Sequence, residues 1–147
     1  MDLVNRVVEG LDGVRTGVHV CRGNWSRNEE TLLRGSYRPL VPYLERMQVS
    51  QLVLEYATPR AGDLVAVPGK ELGLGVVNPR TAEVEPPGAI VARVREALLH
   101  VPADRIFLNP DCGFGTFASR PMNAPEIARA KLDSVSQAAA SLRSEHR

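Results

Sequence analysis

Four short runs of apolar residues, separated by segments with helical patterns, constrain the fold of this chain more than any other feature. Each run is rich in valine, leucine, isoleucine or aromatic residues, and three are almost continuously hydrophobic. Runs of this kind are typical of strands buried on both faces of a parallel sheet. The four predicted strands are residues 14–20, 51–56, 72–77 and 105–108.

The segments around these runs predict the helices. Two helices open at prolines, which favour the first turn, and each then carries an apolar stripe at helical spacing. A third helix is short and amphipathic. The fourth is the last part of a longer helical pattern at residues 28–47, which a glycine and a proline interrupt. The predicted helices are residues 2–10, residues 40–47, a helix that opens at Pro86-Pro87 and a helix that opens at Pro125.

The order of these elements predicts an α/β fold. A helix followed by four strand–helix units favours a parallel sheet with right-handed crossovers. No internal repeat, low-complexity segment or linker divides the sequence, so residues 1–147 are predicted to form a single domain. A closed eight-stranded barrel typically needs ~250 residues. The pattern alone therefore leaves two choices, a small open α/β sheet and half of a barrel.

Charge and hydropathy exclude several classes of function. The 147 residues include 18 Lys and Arg against 17 Asp and Glu, for a formal net charge of +1. This balance is not that of a protein that binds nucleic acid or a membrane surface. No apolar stretch reaches the roughly 18–20 residues that span a bilayer, and the early acidic, amphipathic N-terminus is not a signal peptide. The predicted localisation is cytoplasmic.

Four residues of ligand type lie at or near the ends of three predicted strands. His19 and Cys21 end the first run, and their i, i+2 spacing on an extended chain points both side chains to the same side. Glu55 lies in the apolar second run, where a carboxylate is costly unless it is paired or binds a metal. Cys112 follows the fourth run. One nitrogen, two sulfur and one oxygen donors match zinc in type and in number, so these positions predict a zinc site.

Each of these residues also has an ordinary structural explanation. The two cysteines can be small buried hydrophobes, and a disulfide between them is not expected in a reducing compartment. Glu55 can form a buried salt bridge, for instance with Arg60 or Lys70. Asp111, next to the second cysteine, suits a turn or capping role better than catalysis.

Four segments carry a resemblance to a known family. The chain resembles the carboxyl-terminal catalytic barrel of cobalamin-independent methionine synthase, and its relatives the epoxyalkane:coenzyme M transferases, in HVCRGNW, LVLEYATPRAGDL, LGLGVVNPRTAEVEPP and FLNPDCGFGT. The similarity covers nearly the whole chain, and NPDCG after a strand is its most specific part. A further segment resembles an insertion of the methionine-synthase-like branch, RGNWSRNEETLLRGSY.

The resemblance implies a TIM barrel with a catalytic zinc, of which this chain carries the C-terminal half as about four parallel βα units. In the family a His-x-Cys pair, a glutamate on the next strand and a cysteine before the last helix hold the zinc. The matching positions are His19, Cys21, Glu55 and Cys112. No catalytic residue is assigned beyond this metal site. The substrate-binding residues stay unassigned, because in the family much of that pocket comes from segments upstream of those matched here.

The function implied by the resemblance is zinc-dependent thiol alkylation. A methyl group would pass from 5-methyltetrahydrofolate, or a related donor, to homocysteine and form methionine. Two alternatives stay open, an epoxide-opening enzyme similar to the coenzyme M transferases and a zinc-binding partial barrel that is inactive without a partner chain. A half barrel would leave two sheet edges and an apolar face open. Self-association or a partner chain is therefore expected to complete it.

Overall fold

The computed structural model describes residues 1–115 and 117–145, and within them the chain forms a parallel sheet of four strands. Each strand overlaps one of the four apolar runs, so the prediction of four parallel strands is confirmed. Their bounds are Gly17–Val20 (β1), Gln51–Leu54 (β2), Glu71–Val77 (β3) and Ile106–Pro110 (β4).

Helices occupy the connections, as the prolines and apolar stripes predict. The α-helices are Asp2–Val8 (α1), Val41–Glu45 (α2), Pro87–Leu98 (α3) and Pro125–Glu145 (α4). The stripe of α3 is buried, including Ile90 and Val94. The interrupted segment before α2 contains short 3₁₀ turns instead of a continuous helix. None of the helices in the described part of the chain is long and apolar enough to span a membrane.

The strands lie in the sheet in the same order as in the sequence, and every neighbouring pair is parallel. An open doubly wound sheet reverses its strand order at a switch point, whereas consecutive parallel neighbours are the arrangement of an eight-stranded barrel. The described strands therefore have the topology of part of a barrel. Because all four run the same way, their carboxyl ends meet at one end of the sheet, where such folds place their active sites.

The core lies between the sheet and the two longer helices. Leu72, Leu74 and Val77 of β3 are almost fully buried. Helices α3 and α4 pack against this strand and against each other. Burying a side chain of this size stabilises the fold by about 1.5–3 kcal/mol. The packing of these two helices thus stabilises the central part of the sheet.

A glycine in β3 leaves room for a buried carboxyl group near the carboxyl end of the sheet. A Cβ on Gly75 would lie 2.1 Å from Oδ1 of Asp111 and 2.9 Å from the backbone oxygen of Leu54. Because of this space, Asp111 accepts a hydrogen bond from the backbone N–H of Ala57 at 2.8 Å. Asp111 therefore has a structural role, linking the end of β4 to the loop after β2.

Candidate metal centre

The four residues predicted as ligands lie together at the carboxyl end of the sheet. His19 is in β1 and Cys21 directly follows that strand, while Glu55 directly follows β2 and Cys112 follows β4. One potential ligand atom from each side chain lies within 4.8 Å of all the others. Four ligand atoms bound to zinc at lengths of about 2.0–2.3 Å are roughly 3.3–3.8 Å apart in a tetrahedron. Small side-chain rotations would therefore bring these atoms to binding distance.

The histidine is oriented so that its outer nitrogen faces the group. Nδ1 of His19 lies 3.1 Å from the backbone oxygen of Val53, its register partner on β2. Because a carbonyl oxygen only accepts hydrogen bonds, this contact assigns the hydrogen to Nδ1 and the lone pair to Nε2. Nε2 lies 3.7 Å from Oε1 of Glu55. Metal-binding histidines commonly have this arrangement, with the second nitrogen donating to a carbonyl or carboxylate.

Glu55 is the buried member of the group, and it is already paired. Its side chain has no exposed surface. Oε2 accepts a hydrogen bond from Nη2 of Arg60 at 2.8 Å, and Oε1 accepts one from Nδ2 of Asn24 at 2.6 Å. The salt bridge with Arg60 therefore forms, whereas Lys70 donates to backbone oxygens instead. A carboxylate has about four lone-pair sites, so this pairing is compatible with metal binding.

A buried polar network that the sequence analysis did not identify surrounds Glu55. Oδ1 of Asn24 accepts hydrogen bonds from Nη2 of Arg60 at 3.2 Å and from Nε of Arg80 at 3.0 Å. Arg80 also pairs with Glu29, and only 1% of its surface is exposed. A buried charge is costly unless it is paired and hydrogen-bonded. Glu55 and Arg80 meet this requirement through the network, which gives both oxygens of the Glu55 carboxylate a hydrogen-bond donor.

One signal in the sequence could have indicated this network. Arg22, Arg60 and Arg80 each lie a few residues after the end of an apolar run. Since the carboxyl ends of parallel strands meet, three guanidinium groups come to the same end of the sheet. Such a cluster needs carboxylate or carbonyl partners close by. The partners themselves come from distant loops, which no local pattern indicates.

The two cysteines are free but differ in environment. Cys21 is exposed, and its sulfur accepts a hydrogen bond from the backbone N–H of Gly23 at 3.3 Å. Cys112 is half-buried. Burial, followed by the effect of the nearby Cys21 sulfur, raises the pKa of Cys112 to about 11. Cys112 is therefore a neutral thiol in the absence of a cation, whereas a bound metal ion deprotonates a coordinating thiol.

A tight turn connects Cys21 to the buried asparagine of the network. Gly23 has a φ of +87°, and a Cβ at this position would lie only 2.3 Å from the ring of Trp25. Both features require glycine. Trp25 is 49% exposed, and it lines a shallow depression with Arg27 and Met122. The turn thus directs Asn24 into the protein and leaves Trp25 at the surface.

Comparison of the sequence with known proteins identifies one family. The family described as cobalamin-independent synthase, catalytic domain, matches residues 18–141. The methionine synthase of Pyrococcus abyssi is 31% identical over 116 residues, which are 77% of this chain and 30% of that protein. The methionine synthase of Pyrococcus furiosus is 29% identical over 148 residues, covering 99% of this chain and 38% of that protein. The chain spans about a third of the length of these curated relatives.

A solved structure has the same fold. The B12-independent methionine synthase from Shewanella sp. W3-18-1, in complex with selenomethionine, matches with a TM-score of 0.80 and 24% sequence identity. The match covers 98% of this chain and 42% of that chain. At this level of identity the likeness concerns the fold. It confirms the prediction that the four βα units form part of a TIM barrel.

Proposed function

This chain belongs to the catalytic-domain family of the cobalamin-independent synthases, and on that premise we propose that it carries the zinc site of a methyltransferase that forms methionine. In the proposed reaction a methyl group passes from 5-methyltetrahydrofolate, or a related donor, to the sulfur of homocysteine. One observation carries the proposal. The ligand atoms of His19, Cys21, Glu55 and Cys112 lie within 4.8 Å of one another at three strand ends. The methionine synthases among the relatives support it.

Zinc is the proposed ion because of the donor set, and its proposed role is catalytic. Thiolate and imidazole ligands together suit zinc. A structural zinc site usually takes closely spaced ligand pairs from loops and is closed. Here the ligands come from three separate strands, and the side chain of His19 is 33% exposed. Cys21 is exposed as well, so a substrate can reach this side of the group.

The residues of the chain provide orientation and charge for the proposed reaction. A bound zinc ion would keep the thiol of a substrate deprotonated and nucleophilic at neutral pH. The backbone oxygen of Val53 holds His19 with Nε2 facing the group. Cys21 and Cys112 would add two negative charges at the site, which keep the substrate sulfur electron-rich. The exposed side of Cys21 is the proposed direction of substrate entry.

Among the four residues that would hold the ion, we propose that Glu55 would be the exchangeable one. Its carboxylate accepts hydrogen bonds from Arg60 at 2.8 Å and from Asn24 at 2.6 Å. These partners would stay bonded to the carboxylate with or without an ion, so its buried charge would not be left unpaired. Removing the partner of a buried charge is otherwise strongly unfavourable. The network therefore supports an exchangeable role for Glu55 among the four potential donors.

Homocysteine is expected to change the visible spectrum of the cobalt-substituted protein. Cobalt binds the same nitrogen and sulfur ligands as zinc, and an additional thiolate adds a sulfur-to-metal charge-transfer band. Titration of the cobalt protein with homocysteine measures the change. Homoserine, which has a hydroxyl group in place of the thiol, is the matched control and should leave the spectrum unaltered.

The same titration with coenzyme M separates the two enzyme reactions. A response to coenzyme M without a response to homocysteine would favour the epoxide-opening alternative. An unchanged spectrum with both thiols would contradict substrate binding at this site and favour a structural metal ion.

We further propose that residues 1–147 are one partial-barrel domain that self-association or a partner chain completes. In the described part of the chain, β1 and β4 are each paired on one side only. Next to β4 lies an apolar groove of about 480 Å³, and its lining includes Leu98, Ile106 and Val135. Unpaired strand edges and exposed apolar surface both favour association with further protein.

A glutamate in this groove is expected to reduce association. The purified protein should have a native mass above the 16.0 kDa of one chain. Val135→Glu should shift that mass towards one chain, because burying an unpaired carboxylate is costly. Leu132→Glu is the matched control on the same helix, since Leu132 is 48% exposed. Sedimentation equilibrium measures all three proteins. A wild-type mass of one chain at every concentration would contradict self-association.

A further inference from the structure

The hydroxyl of Tyr37 connects the two strands that carry three of the four ligands. It accepts a hydrogen bond from the backbone N–H of Glu55 at 3.0 Å and donates one to the backbone oxygen of Val20 at 3.1 Å. Val20 lies between His19 and Cys21, and its pairing with Leu54 is the last register pair of β1 and β2. The hydroxyl therefore joins the strands just beyond the point where their own ladder ends.

The ring of Tyr37 is held on more than one side. Tyr37 is fully buried. The guanidinium of Arg22 lies 3.8 Å from the ring centroid, a favourable cation–π distance. The ring of Tyr56 makes an edge contact at 5.4 Å between centroids. Arg22 is itself anchored by hydrogen bonds to the backbone oxygens of Gly35 and Arg60. The position of the hydroxyl is thus fixed by contacts around the whole side chain.

Tyr37 comes from the irregular segment between β1 and α2. This segment contains two short 3₁₀ turns, and Tyr37 directly precedes the second of them. Ordered loops of this length are uncommon in compact domains and usually have a function. Delivering a buried tyrosine to the gap between two ligand-bearing strands is such a function.

We propose that Tyr37 is a positioning residue that sets the separation between the His19–Cys21 pair and Glu55. The inference rests on the proposed metal site and adds a determinant of its geometry. Ligand atoms must lie within a few tenths of an ångström of their binding positions, and residues that orient ligands typically change metal affinity by about 10–100-fold when they are replaced. The single hydroxyl acts on three ligands because it bonds the peptide between two of them and the amide of the third.

Tyr37→Phe and Tyr56→Phe make a matched pair for the test. Each change removes one buried hydroxyl and keeps the ring. The Tyr56 hydroxyl accepts a hydrogen bond from the backbone N–H of Val65, so it does not join the ligand strands. Zinc affinity is measured by competition with a chromophoric chelator. Tyr37→Phe is expected to weaken zinc binding by about 10-fold or more, and Tyr56→Phe by less than about 2-fold.

Two further measurements separate positioning from general stability. The visible spectrum of the cobalt-substituted protein should change in Tyr37→Phe and not in Tyr56→Phe, while urea unfolding of the metal-free proteins should show similar midpoints. If metal-free Tyr37→Phe does not fold, the spectrum of its cobalt-bound form still compares the ligand geometry with that of the wild type.

The outcomes distinguish the two levels of the proposal. Equal zinc affinity and equal cobalt spectra in the two variants would contradict the positioning role of Tyr37 without contradicting the metal site. A wild-type protein that binds no zinc would overturn both the site and the role of Tyr37.

Discussion

Replacing Cys112 with serine should abolish zinc binding by the protein. A serine hydroxyl stays neutral at neutral pH and is a poor replacement for a thiolate ligand. The loss of affinity should exceed the roughly 100-fold that is typical of changes outside the ligand set. The wild type should retain about one zinc per chain after dialysis, as expected for a four-ligand site, and Cys112→Ser should retain almost none. Elemental analysis of both purified proteins measures the difference.

A pair of histidine variants controls for a non-specific loss of zinc. His19→Ala removes a proposed ligand, whereas His100→Ala removes an exposed histidine in the turn after α3. His19→Ala should lose zinc as Cys112→Ser does, and His100→Ala should retain it. Full zinc retention in both Cys112→Ser and His19→Ala would contradict the site.

The strands and the ligand group were predictable because both depend on local patterns. Buried parallel strands are continuously apolar, and the carboxyl ends of such strands converge, so ligand-type residues at those positions come together. The bounds were less predictable. The first strand begins at Gly17 and not at Val14, which is 62% exposed and lies outside the ladder. Glu55 lies one residue past the end of β2 and not within it. Ladder ends depend on neighbouring strands, which a local pattern does not contain.

The network around the proposed ligands was not predictable, because its contacts join distant loops. Asn24 and Arg80 are 56 positions apart in the sequence. Tyr37 lies within residues 28–47, where the interrupted helical pattern yields only α2 and short 3₁₀ turns. Gly35 and Pro39 break the pattern, and the chain between them directs Tyr37 inwards. Sequence therefore indicated which residues could bind a metal, while the groups that orient them depend on tertiary structure.

Replacing Arg60 with methionine should destabilise the metal-free protein by about 3–5 kcal/mol, because it leaves the Glu55 carboxylate buried without its counter-charge. The side chains of Arg60 and Glu55 are 3% and 0% exposed, and Nη2 of Arg60 lies 2.8 Å from Oε2 of Glu55. Urea unfolding in the presence of a chelator measures the loss. Arg95→Met is the matched control. This change breaks the ion pair between Arg95 and Glu145, whose side chains are 60% and 38% exposed respectively. Surface ion pairs of this kind contribute about 0–1 kcal/mol to stability.

Zinc should restore part of the stability that Arg60→Met loses, since a bound cation can replace the guanidinium as the partner of Glu55. Repeating the unfolding at saturating zinc tests this, because a ligand that binds only the folded state stabilises it. The double variant Glu55→Gln with Arg60→Met should lose less stability than Arg60→Met alone, since a neutral amide needs no counter-charge. If Arg60→Met cost no more than Arg95→Met, Glu55 would not depend on Arg60. In the separate measurement at saturating zinc, an equal stabilisation of Arg60→Met and of the double variant would show that the Glu55 carboxylate is not a metal ligand.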